Sequence, residues 1–415
     1  MKRTLLATIF AAAFTGGAQA TDWIVDATGA TSVYTRIDQA MALVTPGDRI
    51  LVKPGAYPPF QFTHGVEVIG LGTDPSQVLI ERVDYHVSIP NIGYDTGLEN
   101  LSVCNFEPDN GHGISGNELP HGTLAMSSVI SCGGIFLHGD GGFYLLMDNC
   151  RIETDPGEGF MNAAIDFGGG TADIVDTRIV AAPASSSEGT PAGVALRIGG
   201  NSTVRVSGSH LTGGAGEPGS SGIYRHGGHG VDVGFGSGAV NLRLAGQSQV
   251  RGGNASGTGF GGAGVRLVGA IQVGVATVAG GAGSPAGSDY ALGTPTRLGI
   301  DPHLSVRPGR AFAANDAFLR PGDVLLLRAD ASIATAAPKL GFALRLDPPT
   351  SPLAQTPLVA PGFHIGAELR LMVPYAQQPS LDLPLGKRVY YQAFFTDPSS
   401  GNVLTSNPVS VTIDP

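Results

Sequence analysis

Residues 194–211 read VALRIGGNSTVRVSGSHL, and this stretch decides the fold class. It contains three runs of three residues, each with a polar residue at its centre, and glycine-rich or polar corners separate the runs. The runs are Leu196-Arg197-Ile198, Val204-Arg205-Val206 and Ser209-His210-Leu211. Because side chains alternate between the two faces of a strand, each run predicts a short strand with one buried face.

The same order of three runs recurs five times between residues 135 and 278. The copies begin at Ile135-Phe136-Leu137, Ile165-Asp166-Phe167, Leu196-Arg197-Ile198, Val231-Asp232-Val233 and Val265-Arg266-Leu267. In the first copy the second run is Phe143 to Leu145. Three strands per repeat predict one coil of a parallel β-helix. The alternative, a glycine-rich sandwich, needs antiparallel hairpins and leaves the repeated triplet order unexplained.

An amphipathic helix precedes the repeats. Ile37, Ala40, Met41 and Val44 share one helical face, and Thr35 to Asp38 reads as a capping box. Such a helix would cover the open apolar end of the solenoid.

Two segments beside this helix resemble a known group. Residues 36–60, RIDQAMALVTPGDRILVKPGAYPPF, resemble the first coil of right-handed parallel β-helix proteins of the pectin-lyase-like superfamily. Residues 66–81, VEVIGLGTDPSQVLIE, resemble their second coil. The resemblance covers about residues 22–300 and implies the fold. It implies no single activity, because the superfamily contains lyases, hydrolases, epimerases, esterases and non-catalytic adhesins. No family-specific catalytic motif is present to carry over.

The texture changes after about residue 300. Longer strand-like runs replace the glycine-rich corners, and turn signals such as Pro321-Gly322-Asp323 separate them. We expect residues 21–300 to form the right-handed parallel β-helix and residues 301–415 a small C-terminal β-sandwich, with a boundary near 282–303.

Residues 1–20 have the pattern of an export signal. Lys2 and Arg3 precede an apolar run, and Ala18-Gln19-Ala20 forms an A-x-A cleavage site. The apolar run is too short to span a bilayer, so the sequence predicts a mature chain that begins at Thr21, is periplasmic or extracellular and has no membrane span. Oxidising conditions outside the cytoplasm would allow a disulfide. Cys104 and Cys132 align in adjacent coils and are expected to pair, which leaves Cys150 as an inward-facing thiol.

Composition supports a turn-rich all-β protein. The 415 residues include 63 Gly without a three-residue period, which excludes collagen. A hydrophobic content of 42% argues against disorder. The net charge of −10 argues against a general nucleic-acid binder.

Stacked coils would place equivalent outward residues in rows. The row through the first strands, Phe136, Asp166, Arg197, Asp232 and Arg266, alternates in charge and reads as an ion-pair ladder, or alternatively as a sugar-binding surface. The row through the third strands is Arg151, Arg178, His210 and Gln249. It contains no acidic residue and is the candidate anion-binding site, and the alternative is ordinary solvated surface.

The longest insertions all follow the third strand, at 153–163, 181–193, 212–230 and 251–264. The third of these contains Tyr224, Arg225 and His226. Arg225 or His226 could act as the base in β-elimination from a uronic acid, and Tyr224 could stack on a sugar ring. The alternative is a flexible glycine-rich loop with incidental polar residues.

The sequence predicts no metal and no cofactor. No close pair of Asp residues stands within the repeats, as an inverting glycosidase would require. Calcium would need Asp155, Glu158 and Glu188 to converge, and a histidine site would need a third ligand beside His112 and His121 or beside His226 and His229.

Three functions follow from these observations. The first is a non-catalytic exported protein that binds glycans or cell surfaces along one solenoid face. The second is a polysaccharide lyase or related uronate-acting enzyme with its site near Arg225 and His226. The third is a structural spacer or adhesin stalk without a ligand.

Overall fold

The computed structural model describes residues 21–298, apart from 82–86, 90–94, 105–112, 156–162, 188 and 234–237. Beyond residue 298 it describes the backbone of eight strands. The export signal at 1–20 therefore lies outside the described residues. Among the described residues, no helix has the length and apolar character needed to cross a membrane.

Two large sheets, in which every strand pairs in parallel with its neighbours, form residues 22–297. The larger contains Asp22–Val25, Arg49–Val52, Glu67–Gly70, Val87–Ser88, Thr96–Glu99, Ile114–Ser127, Ile135–Asp148, Ala163–Val175, Val194–Gly199, Ser202–Ser207, Val231–Val233, Val240–Ala245, Val265–Arg266, Ala270–Val273, Tyr290–Ala291 and Pro295–Arg297. The smaller contains Gly55–Tyr57, Val78–Glu81, Ser102–Cys104, Ile130–Ser131, Arg151–Glu153, Arg178–Val180, His210–Thr212, Ser248–Arg251 and Ala276–Ala279. The all-β architecture of stacked parallel strands is consistent with a β-helix.

The strand register confirms both predicted rows. Phe136 pairs with Asp166, and the pairing continues through Arg197 and Asp232 to Arg266. In the smaller sheet, Arg151, Arg178, His210 and Gln249 are likewise successive partners. The inward neighbours of the first row, such as Ile165 and Leu196, are fully buried and belong to one continuous apolar core.

Two details of the predicted register are wrong. Asp173 pairs with Leu146, so the second run of the first copy is Leu145–Met147 and not Phe143–Leu145. A shift of two residues keeps every side chain on its face, which is why alternation alone does not detect it. In addition, the first and second runs of the second copy, Ile165-Asp166-Phe167 and Ala172-Asp173-Ile174, are expected as separate strands but form one continuous strand, Ala163–Val175.

The entrance helix is shorter than expected and is capped differently. It spans Ile37–Met41, with Arg36 as the N-cap residue. The side-chain oxygen of Gln39 accepts from the backbone N–H groups of Thr35 and Arg36, at 3.0 and 3.2 Å. The expected Thr35–Asp38 box is therefore wrong, because Asp38 instead forms an ion pair with the Arg36 guanidinium at 2.7 Å. Two short 3₁₀ helices, Pro75–Gln77 and Gly222–Arg225, complete the helical elements of the described residues.

A column of small polar side chains lies inside the coils before the third strand. The backbone N–H of Cys150 donates to the Thr177 hydroxyl at 3.2 Å, that of Thr177 to the Ser209 hydroxyl at 3.0 Å, and that of Ser209 to the Ser248 hydroxyl at 3.3 Å. All four residues are buried. Burial is also the main reason why the pKa of the Cys150 thiol is raised to about 12. Cys150 therefore occupies a packing position rather than a reactive one.

A disulfide joins two adjacent coils at the N-terminal end of the smaller sheet. Cys104 and Cys132 have Cα atoms 4.6 Å apart and are 28 residues apart in the chain. Cys150 is the free cysteine. The bridge therefore links the two coils whose sequences align at these positions.

Glycines form a second, separate stack where the insertions leave and rejoin the coils. Each residue of this glycine stack donates its backbone N–H to the carbonyl of the one before it, at 2.7–2.9 Å. In order, its members are Ala182, Gly193, Gly214, Gly228, Gly253, Gly262, Gly281 and Gly287. Outgoing and returning passes of successive insertions alternate along the stack, so each insertion is hydrogen-bonded to the next one.

From Gly214 onward, a Cβ atom at any position of this stack would collide with a backbone carbonyl oxygen, whereas the first position is held by Ala182. A Cβ atom at Gly228 would collide with the carbonyl oxygen of Gly193, and one at Gly253 would collide with that of Gly214. Backbone atoms cannot rotate aside as a side chain can. Close approach of neighbouring backbone segments thus explains much of the glycine excess, as it does in other tightly packed extended backbones.

The C-terminal strands form two further sheets. One contains His303–Pro308, Val324–Asp330, Glu368–Pro374 and Phe363–Ile365, all antiparallel. The other contains Phe318–Leu319, Val403–Ile413, Arg388–Thr396 and Leu340–Arg345, in which only the first pair is parallel. Four of the runs expected from the sequence, Val324 to Leu327, Glu368 to Val373, Val389 to Phe395 and Pro408 to Ile413, fall within these strands, and the fifth, Gly341 to Leu346, ends one residue beyond its strand. The packing of the two sheets into a sandwich, and the domain boundary, stay predictions.

Candidate functional site

The third-strand row is exposed on the outer face of the smaller sheet. We call Arg151, Arg178, His210 and Gln249 the cationic row. The Arg151 and Arg178 side chains are 58% and 62% exposed, and His210 and Gln249 are also exposed. Since neighbouring parallel strands lie about 4.8 Å apart, these groups repeat at that interval along the solenoid.

Glu153 changes the charge balance beside this row. Its carboxylate lies 2.7 Å from Arg151 and 3.2 Å from Arg178. The hydrogen bond from Arg151 is the main reason why the pKa of Glu153 is lowered. The row contains no acid, as expected, but its two arginines share one acidic neighbour. They could bind a further anion by exchanging one of these contacts.

Arg251 adds a cation that the sequence analysis missed. It follows the run Ser248-Gln249-Val250 and pairs in register with Thr212, next to the cationic row, where it is exposed. The alternation of side chains along the strand predicts that Arg251 points outward. The sequence analysis assigned only three residues to this run, and Arg251 is the fourth. Together with Arg151, Arg178 and Glu153, it makes a group of four side chains with a net charge of +2.

The Arg225 side chain serves as a brace within the insertions. Arg225 ends the 3₁₀ helix Gly222–Arg225. Its Nε donates to the Ser220 carbonyl, and its guanidinium also donates to the Thr258 hydroxyl of the next insertion at 3.2 Å. Tyr224 is half-buried beside it. These contacts hold the insertion in place and engage two of the five guanidinium N–H donors.

His226 is unsuited to act as a base in this arrangement. The backbone N–H of Phe260 donates to its Nδ1 at 2.9 Å, and the two rings stack with centroids 4.8 Å apart. A neutral imidazole that accepts at Nδ1 carries its proton on Nε2. It therefore has no free lone pair for a substrate proton.

The first-strand row forms two compact ion pairs. Asp166 lies 3.5 Å from Arg197, and Asp232 lies 2.6 Å from Arg266. Both carboxylates are nearly buried, with exposed side-chain fractions of 4% and 7%. The pairing agrees with the predicted ion-pair ladder, although the pairs are less exposed than an ordinary surface ladder.

His138 joins this row and was missed by the sequence analysis. Its Nε2 lies 2.9 Å from Oδ1 of Asp166, and its ring stacks on Phe136 with centroids 4.3 Å apart. In the neutral tautomer that carries its proton on Nε2, the ring donates that proton to the Asp166 carboxylate. Nδ1 then carries a free lone pair on a side chain that is 36% exposed. The alternation of side chains predicts that His138 lies on the same face as Phe136, but the run assigned from the sequence ended at Leu137.

Bare backbone lies beside His138 along the sheet. His138 pairs in register with Gly168, and Gly168 pairs with Gly199. Neither glycine has a side chain, and the His138 ring lies over Gly168, where an added Cβ atom would be 3.4 Å from it. His138 and Asp166 therefore lie beside two consecutive rungs that have no side chain at this position.

His229 lies beside the second ion pair. Burial, together with the positive charge of Arg266, lowers its pKa, and Asp232 opposes the shift. The backbone N–H of Ala263 donates to its Nδ1 at 2.9 Å. Like His226, it is held as a neutral acceptor and is not available as a base.

A buried polar cluster lies on the outer face of the second strands. Arg205 donates to both oxygens of Asp173, at 2.7 and 2.5 Å, and Tyr144 donates its hydroxyl at 2.7 Å. Arg243 occupies the next rung, where burial and then Arg205 lower its pKa to about 10. Tyr144 and Asp173 have no exposed area, so this cluster supports the structure and does not present a surface.

The described residues contain no group of three His, Cys, Asp or Glu side chains that could hold a metal ion. Asp155 is exposed. Glu158, Glu188 and His112 lie outside the described residues, so the calcium alternative is not decided by them.

Comparison with known proteins adds nothing to these observations. No family model, no curated protein and no solved structure matches the chain.

Proposed function

We propose that this protein is an exported right-handed parallel β-helix of the pectin-lyase-like type that binds an acidic glycan on the face of the cationic row. The observation that carries the proposal is the alignment of exposed cations in adjacent rungs. A polymer with regularly repeated carboxylates or sulfates can meet such a row at several points, and Arg guanidinium groups form paired hydrogen bonds with these anions.

The test compares two variants, one double and one single, that change the charge of this face in opposite directions. Binding of polygalacturonate and of heparin to the full mature chain is measured at low and high salt. Arg151→Ala combined with Arg178→Ala should weaken binding about tenfold or more, and the salt dependence should decrease. Glu153→Gln should strengthen binding, because it releases both guanidinium groups.

Arg36→Ala is the matched control, since Arg36 is also an exposed arginine paired with an acidic neighbour, Asp38. It lies on the entrance helix and should leave binding unchanged. Salt-independent binding that neither the double variant nor Glu153→Gln alters would contradict the proposal and favour a spacer without a ligand on this face.

A second candidate is a polysaccharide lyase or related uronate-acting enzyme, and the free Nδ1 of His138 favours it. The base would be His138, oriented by Asp166, instead of Arg225 or His226. Acidic glycans are incubated with the protein, and absorbance from unsaturated uronates is followed. Activity lost in His138→Ala and retained in His226→Ala would support this function. No new absorbance with any acidic glycan would argue against it.

A further inference from the structure

Four donors surround the carboxylate of Asp48 where the chain enters the larger sheet. The backbone N–H of Thr21 donates to Oδ1 at 2.9 Å. Oδ2 accepts from the Trp23 indole at 3.1 Å, and from the backbone and hydroxyl of Thr45 at 2.8 and 3.0 Å. Asp48 is only 6% exposed. A nearly buried carboxylate thus lies against the nitrogen of Thr21.

The position of Thr21 is fixed from its other side as well. Its carbonyl accepts from the backbone N–H of Arg49 at 3.0 Å, and the next residue, Asp22, pairs in register with Arg49. Thr21 is also the residue that follows the A-x-A motif Ala18-Gln19-Ala20. The first nitrogen of the expected mature chain is therefore the one that contacts Asp48.

Among the described residues, no cationic side chain pairs with the carboxylate of Asp48. Asp22 and Arg49 form an ion pair with each other at 2.7 Å. Within the described part of the chain, Asp48 has only the neutral donors of Thr21, Trp23 and Thr45 as partners. A buried carboxylate is stabilised most when a positive charge faces it.

We propose that cleavage between Ala20 and Thr21 creates this positive charge, and that Asp48 is the binding site of the new α-ammonium group. A signal peptidase would break the peptide C–N bond with one water molecule, leaving a carboxylate on Ala20 and an ammonium on Thr21. The neutral N–H donor becomes a charged group with three N–H donors at the same place. This inference rests on the export proposed above.

Cleavage would then strengthen the attachment of the first strand. Among the described strands, Asp22–Val25 has Arg49–Val52 as its one neighbour and forms one edge of the larger sheet, with a single further bridge from Val25 to Tyr34. An ion pair at Thr21, the residue directly before this edge strand, would hold the strand in place. An uncleaved chain would retain the neutral hydrogen bond alone, so its first strand would be held less tightly.

The experiment compares two purified full-length mature chains with native sequences. One begins at Thr21, released from a fusion by a protease that leaves no extra residue, and the other begins at Ala20. Unfolding is followed from pH 6 to pH 10. The pKa of a free α-amino group is about 7.7–8.0, and the ion pair with Asp48 should raise it in the folded chain that begins at Thr21.

The stabilisation should be fully present below about pH 7.7 and lost as the pH rises through the raised folded value. A one-unit rise corresponds to a tenfold higher ratio of folded to unfolded protein for the Thr21 chain at pH 7. Asp48→Asn should abolish the difference between the two chains, whereas the control Asp22→Asn should preserve it.

Equal stability and equal pH profiles of the two native chains would overturn the proposal, and this comparison requires no substitution to fold. N-terminal sequencing of the exported protein should begin at Thr21, and any other first residue would also overturn it. Neither measurement involves the cationic row, so a failure here is distinct from a failure of glycan binding.

Discussion

At the scale of single residues, the outward positions of the larger sheet divide into buried and open groups. Asp173 faces outward by its register, yet it has no exposed area and is saturated by Arg205 and Tyr144. Asp166 is nearly as buried but orients His138, whose second nitrogen is free. The same residue type therefore supports the structure in one row and positions a titratable group in another.

Asp173→Ala should be strongly destabilising. It would leave the buried guanidinium of Arg205 without its counter-ion, and such a loss costs about 3–5 kcal/mol. The control is Asp38→Ala, which breaks the exposed pair with Arg36 and should cost about 0–1 kcal/mol. Denaturant unfolding monitored by circular dichroism measures both. Similar losses in the two variants would show that the Asp173 cluster is not sealed from solvent.

Cys150→Ser should preserve the fold, because the equivalent position in later coils holds Thr177, Ser209 and Ser248. The thiol ionises near 9.0 when unfolded and near 12 when folded. The native protein should therefore lose stability as the pH rises from about 9 towards 12, by about 1.4 kcal/mol per unit.

The Cys150→Ser variant should lack this component in unfolding curves recorded at pH 8 and pH 10. Iodoacetamide should label Cys150 at pH 8 only after unfolding. Rapid labelling of the native protein would contradict the buried position.

At the scale of elements, the alternation of side chains predicts the strands and both rows because burial imposes a period of two. It does not detect the two-residue shift in the run expected at Phe143–Leu145, because a shift of two residues keeps every side chain on the same face of the strand. It also misses His138 and Arg251, which continue the alternation beyond the three residues assigned to each strand. Patterning thus specifies the direction of a side chain more securely than the end of its strand.

The insertions could not be predicted from the same signal. Glycine has no side chain, so a glycine-rich segment shows no apolar period even when every backbone group is paired. For the insertion at 212–230, the alternative offered by the sequence was a flexible glycine-rich loop. The structure instead holds this insertion by backbone hydrogen bonds such as those of Gly228 to Gly214 and of Gly253 to Gly228.

Gly228→Ala tests the glycine stack. Its methyl group would collide with the Gly193 carbonyl, and relief requires movement of neighbouring insertions, so we expect a loss of about 3 kcal/mol or more. Gly219→Ala is the control, because φ is +77° there and no atom lies within 4 Å of the new Cβ. It should cost only the left-handed strain, about 1–2 kcal/mol. Equal losses in thermal or denaturant unfolding would mean that the insertions move freely.

At the scale of the whole molecule, contacts between coils are mostly between neighbours. Stability in such an arrangement is close to a sum over repeats and their interfaces, so a local bond protects mainly its own region. The disulfide between Cys104 and Cys132 lies in the N-terminal half of the coils and closes a loop of 28 residues.

Replacing both bridge cysteines by Ser should therefore destabilise the N-terminal coils by about 3 kcal/mol. Hydrogen exchange should increase around residues 102–131 and change little around 248–279. Uniform acceleration across the chain would indicate that the coils unfold as one unit. Peptide mapping without reduction should recover the 104–132 pair, and a bridge that includes Cys150 would contradict the alignment of these coils.

The alternation in the glycine stack also limits how this protein could change its length over evolution. Along the stack, each outgoing pass donates to the returning pass before it and accepts from the returning pass after it. Removing half of an insertion would therefore leave a carbonyl and an N–H facing each other across a gap. Duplication of an entire coil with its insertion adds one donor and one acceptor of each kind and leaves the pattern closed. Related chains should therefore gain or lose complete coils, and their insertion breakpoints should avoid the glycine positions.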